Sequence, residues 1–77
     1  MQLTIKYFGL LTEFTKCNEE QIEFSGMIIN DLLEIIYLKY PKLKETDFQL
    51  AQNQVIVSNE TEISGTEIAL LPPFAGG

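Results

Sequence analysis

The residues best suited to chemistry lie together at one end of the chain, in Leu71-Pro72-Pro73-Phe74-Ala75-Gly76-Gly77. Every protein has a terminal carboxylate, so what matters is whether the preceding residues can present it inside another protein. Pro72 and Pro73 fix φ at about −65° and offer no N–H, which bars helix and favours an extended polyproline stalk. Gly76 and Gly77 lack a Cβ and fit a channel that would reject larger residues. Fully extended, residues 72–77 reach roughly 20 Å, enough to enter a partner's cleft. The expected working group is the Gly77 carboxylate, inserted by Gly76, Pro72 and Pro73. The plain alternative, a frayed glycine end, does not account for the proline pair.

The rest of the sequence offers no rival constellation. There is no histidine and one cysteine, Cys17, so a disulfide within the chain, a Cys/His metal site and a nucleophile–histidine pair are all excluded. No metal is expected, and Cys17 reads as an incidental loop thiol. A charge of −6, from eleven acids against five lysines, is the wrong balance for phosphate, so nucleic acid is not an expected partner. An acidic domain suits a basic protein surface, where complementary charge mainly speeds association. Seventy-seven residues make one domain that buries only about 60% of its unfolded surface, which leaves little room for an enclosed catalytic cavity. No apolar run approaches a membrane span, and Met1 leads straight into a strand pattern rather than a signal segment. The expected setting is the cytoplasm.

The elements that must position the tail are read from periodicity. Gln2 to Phe8 alternates, with Leu3, Ile5 and Tyr7 on one face and Thr4, Lys6 and Phe8 on the other. Gly9 to Lys16 predicts a short helical turn with Leu10, Leu11 and Phe14 packed inward. Gln21 to Phe24 alternates again after a polar stretch. From Ile29 to Tyr40 the period is helical, Ile29, Leu32, Leu33, Ile36 and Tyr40 sharing a face, and Pro41 ends it. Ile35 and Leu38 point elsewhere and are expected to be half-covered by loops. A polar connection over 42–47 precedes two short strands within Phe48 to Ser58, folded about Gln52-Asn53-Gln54. A loop over 59–65 leads to a last strand, with Ile68 and Leu70 alternating with Ala69 and Leu71, that runs into the prolines.

Two hairpin-like units around one helix imply an α+β fold, a small mixed sheet clasping the main helix with the last strand parallel to the first. This is the ubiquitin-like β-grasp. The boundaries are a body over 1–71 and a tail over 72–77.

Asn53-Gln54-Val55-Ile56-Val57, then Gly65-Thr66-Glu67-Ile68-Ala69-Leu70-Leu71 with the proline pair and Gly-Gly end, resembles the small subunit family of molybdopterin synthase. Tyr7-Phe8-Gly9, with Leu11, Glu13 and Phe14 behind it, looks like that family's Phe-Phe-Ala start, and Asp31-Leu32-Leu33 falls where its helix begins. Gln52 stands where valine is expected, weakening a strand, and Ile28 where a capping threonine is usual. Phe74 and Ala75 also differ from the commoner valine and small polar residues.

The resemblance implies a sulfur carrier. A carboxylate, with a pKa of about 3.5, is too poor an acceptor for direct substitution by sulfur, so it must be activated. A separate adenylating enzyme consuming ATP and Mg would convert Gly77 to an acyl-adenylate. A persulfide donor would then give the thiocarboxylate, and the large synthase subunit would receive the tail. The isolated chain would bind no cofactor and would work in a hetero-oligomer. From the strand alternation, Phe8, Leu71 and Ala69 should meet on the outer sheet face with Ile56 nearby, an apolar interface anchor. Rivals are the carrier of thiazole synthesis, against which Pro72-Pro73 argues, a ubiquitin-like modifier joined to lysine, and a passive β-grasp binding module.

Overall fold

The computed structural model describes residues 1–73. Strand β1 spans Gln2–Tyr7, helix α1 Leu11–Thr15, β2 Glu19–Glu23 and helix α2 Ile29–Lys39. A 3-10 turn over Pro41–Glu45 precedes β3 (Gln49–Gln52), β4 (Val55–Val57) and β5 (Glu67–Leu71). The strands form one sheet in the order β2-β1-β5-β3-β4, in which β1 and β5 run parallel and every other pair is antiparallel. This is the expected β-grasp, with the last strand at the centre of the sheet.

The period-two pattern is realised as drawn. Leu3, Ile5 and Tyr7 of β1, Ile22 of β2, Leu50 of β3 and Ile68 and Leu70 of β5 are all buried on the inner face. Ile29, Leu32, Leu33 and Ile36, spaced to share one side of α2, are buried in the same cluster. Each such side chain contributes roughly 1.5–3 kcal/mol by leaving water. Ile28 at the start of α2 has no side-chain acceptor, so the cap works from the other end. The Asp31 carboxylate accepts from the N–H groups of Met27 at 3.0 Å and Ile28 at 3.1 Å, which holds its carboxyl below the usual range.

Several local expectations are corrected. Leu10 is exposed rather than packed inward; α1 begins at Leu11, which puts Leu11 and Thr15 in the interior and Phe14 at its margin. Leu38 is 85% exposed, not half-covered. With Glu34, Tyr37, Pro41 and Lys44 it lines an open groove beside α2. The connection after α2 is not simply polar, because the 3-10 turn carries Leu43, completely buried, into the core. Cys17 is half-buried against that core, with Sγ 4.0 Å from the Tyr40 hydroxyl.

Gln52 strengthens its surroundings instead of weakening a strand. It is buried, its amide nitrogen donating to the Glu62 carbonyl at 3.0 Å and its amide oxygen accepting from the Ser64 N–H at 3.0 Å. A valine there could not tie the 58–64 loop to β3. The turn after it places Asn53 and Gln54 at φ of 53° and 68°, the paired left-handed geometry that matches the twist of a two-residue hairpin.

Candidate functional site

The β1–β5 ladder pairs Lys6 with Ala69 and Tyr7 with Leu70, and the Phe8 N–H then donates to the Leu70 carbonyl at 3.1 Å. Phe8 therefore lies beside Leu71 at the end of the sheet from which the chain departs. Ala51 pairs with both Ala69 and Ile56, so the outer face carries a row Ile56-Ala51-Ala69-Lys6 next to a row Gln49-Leu71-Phe8. Side chains alternate across the sheet. The hydrophobic residues needed inside have already been placed inside, and those left over face outward.

Phe8 is 44% exposed and Ile56 56% exposed, while Ala69 and Leu71 are half-buried. Phe8 is thus not a core residue covered by Leu11 or Phe14. Phe8 and Leu71 fall at adjacent register positions on this face. Ile56 shares their face but sits on the edge strand, three strand spacings from β1, or roughly 14 Å. The apolar patch is a band across the sheet rather than one knot of side chains. Lys6 and Glu67 form an ion pair of 2.6 Å along it, and Glu67 holds the ammonium above its usual pKa. Lys6, Phe8, Gly9, Thr12 and Glu19 border a shallow depression at the same end.

β5 delivers the stalk to this end of the face. Pro72 is half-buried and Pro73 exposed, and Pro72 has no N–H with which to extend the ladder. Gly76 and Gly77 lie outside the described residues.

One other cluster has perturbed titratable groups, which elsewhere would mark a catalytic centre. The Glu20 carboxylate accepts hydrogen bonds from the Tyr7 hydroxyl at 2.6 Å, the Tyr40 hydroxyl at 2.7 Å and the Lys39 ammonium. Partial burial pushes the Glu20 carboxyl up, but these three donors together outweigh it and hold it below its usual range. Burial, then the neighbouring Glu20, raises both tyrosines well above the ordinary phenol range. At neutral pH the carboxylate is charged and both phenols are protonated. Its oxygens are occupied by donors from β1 and from the end of α2, so it acts as a clasp. No group of metal-ligating side chains occurs among the described residues, and no buried side-chain polar atom among them is left without a partner.

Strand alternation places Phe8, Leu71, Ala69 and Ile56 on the outer face, as the structure has them, but it gives no sign of two other residues. Glu20 carries no such signal, because a glutamate between a polar stretch and a strand looks solvated. Gly9 was noted only as part of a motif, yet it stands against Pro72. Its φ of 60° was signalled by nothing except its being glycine.

The ThiS family model matches residues 5–77. The molybdopterin synthase sulfur carrier subunit of Chlamydomonas reinhardtii is 32% identical, with all of both chains aligned. Among solved structures, a Pyrococcus furiosus protein assigned as molybdopterin converting factor subunit 1 superposes with a TM-score of 0.86 at 28% identity, covering 96% of this chain and 99% of its own. A chain of the complex of subunits 1 and 2 of the Helicobacter pylori molybdopterin-converting factor superposes with a TM-score of 0.70 at 27% identity over all of both chains. The chain belongs to the ThiS family and is a homologue of molybdopterin synthase sulfur carrier subunits.

Proposed function

We propose that this chain carries sulfur on its terminal glycine and delivers it, within a molybdopterin synthase, to a pterin precursor held by a large subunit. The observation that carries this reading is the placement of the parallel central strand β5. It brings Pro72 and Pro73 out beside Phe8 and Leu71, so one docking event can both seat the outer face and feed the tail into a cleft. The complex of subunits 1 and 2 in the Helicobacter pylori homologue supports a hetero-oligomer.

The chemistry follows from the carboxylate. A separate adenylating enzyme, consuming ATP with Mg, joins the Gly77 carboxylate to AMP and releases pyrophosphate. The terminal sulfur of a persulfide donor then displaces AMP to give an acyl disulfide, and a thiol cleaves its S–S bond, releasing the thiocarboxylate and leaving the donor in a disulfide with that thiol. The thiocarboxylate sulfur bonds to the pterin precursor, water then cleaves the acyl–sulfur bond to regenerate the carboxylate, and a second loaded chain supplies the other sulfur of the dithiolene. Glycine keeps the acyl carbon open to each attack, and Gly76 lets the end pass a narrow entrance. The chain supplies no general base, so proton transfers fall to the partner. We place this work in the cytoplasm, where ATP is available; no helix among the described residues is long and apolar enough to cross a membrane.

Intact mass of the chain isolated from its own cells tests the reading. A fraction with one oxygen replaced by sulfur at the terminus is expected, and deletion of Gly77 should abolish sulfur transfer while the fold survives. A terminus joined to lysines of other proteins would instead assign a modifier, and full cofactor synthesis without Gly77 would leave only a passive binding module.

A further inference from the structure

Gly9 and Pro72 are far apart in sequence and meet where the stalk leaves the sheet. A Cβ added to Gly9 would lie 2.6 Å from Pro72 Cγ, 3.6 Å from Cδ and 3.8 Å from Cβ. The first of these is closer than real Cβ atoms come, so the proline ring occupies space that only glycine leaves. The φ of 60° at Gly9 independently favours glycine. The seat is also held still. The Gly9 carbonyl accepts from the Thr12 N–H at 3.1 Å and the Thr12 hydroxyl at 2.8 Å, and the Phe8 N–H is tied to Leu70. The half-burial of Pro72, when Pro73 is exposed, fits a ring resting on this cradle.

We propose that Gly9 is a positioning residue for the tail: its bare backbone cradles the Pro72 ring and so sets the direction in which the stalk leaves the sheet. From Pro72 to the terminal glycine a fully extended chain measures roughly 17 Å. A deflection of about 10° at its base moves the far end by roughly 3 Å, and displacements of about 1 Å at a reacting centre can cost about a hundredfold in rate. The consequence for sulfur transfer rests on the carrier reading above, whereas the direction of the stalk belongs to the free chain.

The test is a double-mutant cycle of Gly9→Ala and Pro72→Ala in the full chain, with two readouts. In the first, a nitroxide at Phe74→Cys, in a Cys17→Ser background, reports by paramagnetic broadening which amides the start of the tail visits. In the second, carriers given a chemically installed thiocarboxylate, so that loading is equal, are mixed with saturating large subunit and pterin precursor. Gly9→Ala is expected to redistribute the broadening and slow single-turnover transfer about tenfold or more, with affinity for the large subunit changed by less than about threefold. Because both substitutions act through one contact, the double variant should match Pro72→Ala alone in both readouts. Effects that multiply, or a broadening pattern indifferent to either substitution, would overturn the proposal. Strain at φ of Gly9→Ala acts on stability, read separately by thermal unfolding, and not on the contact with the Pro72 ring that both readouts follow. If Gly9→Ala fails to fold, Pro72→Ala alone must still spread the broadening, and an unchanged pattern sinks the idea. Should the unsubstituted thiocarboxylate transfer no sulfur, the carrier reading falls while the broadening still decides the role of Gly9.

Discussion

Ile68 and Leu70 are completely buried, whereas Ala69 and Leu71, their neighbours on the same strand, are only half-buried. The difference is a one-residue offset in a period-two element, and it separates two kinds of work. The inner face of the sheet, closed by α2, holds the body together. The outer face, with Phe8 and Ile56 about half exposed, has no helix of the described residues packed over it and is open to a partner. Polar groups divide in the same way. On the inner side Glu20 lies on the edge strand β2 and Gln52 at the end of β3, and each is fully used in tying an outlying element down. On the outer side the Lys6–Glu67 pair is open to solvent, where such pairs add little to stability.

If the inner face alone holds the fold, Leu70→Ala should cost about 2–5 kcal/mol in denaturant unfolding, and a loss below about 1 kcal/mol would break the division. The inner polar clasp comes next. Glu20→Ala leaves the Tyr7 and Tyr40 hydroxyls and the Lys39 ammonium without their common acceptor, an expected loss of about 1.5–3 kcal/mol at neutral pH. The carboxyl is normally near 4.5 and is lower in the fold. Its contribution is therefore complete above the unfolded value and disappears as pH falls through the folded one. Unfolding followed from neutral pH downward should show the native chain losing stability over that acid range more steeply than Glu20→Gln.

Phe8→Ala probes the other side of the comparison. It should weaken binding to the large subunit about tenfold, equivalent to about 1.4 kcal/mol, while stability moves by less than about 0.5 kcal/mol. Titration calorimetry paired with thermal unfolding checks both halves, and an unfolded variant would place Phe8 in the core. The smallest effect is expected from Gln52→Ala, about 1 kcal/mol, because its partners lie at the margin where water can replace the amide. Hydrogen exchange should accelerate first in the 58–64 loop, and uniform acceleration would show that Gln52 supports the whole sheet.

By itself the sequence determined the architecture, the inner and outer residues of β1, α2 and β5, and a proline pair directly after the last strand. These follow from local chemistry: alternation or helical spacing selects the buried face, and proline removes the ladder donor. It also indicated that Phe8 and Leu71 would be neighbours if the first and last strands lay side by side in parallel, and the observed register provides this. What it could not supply were relations between side chains distant along the chain. Leu43 entering the core from a polar segment, Glu20 joining three donors from two other elements, Gln52 reaching across to Glu62 and Ser64, and Gly9 meeting Pro72 have no periodicity to announce them. Each depends on where separate elements come to rest against one another, and packing in three dimensions, not propensity along one, decides that.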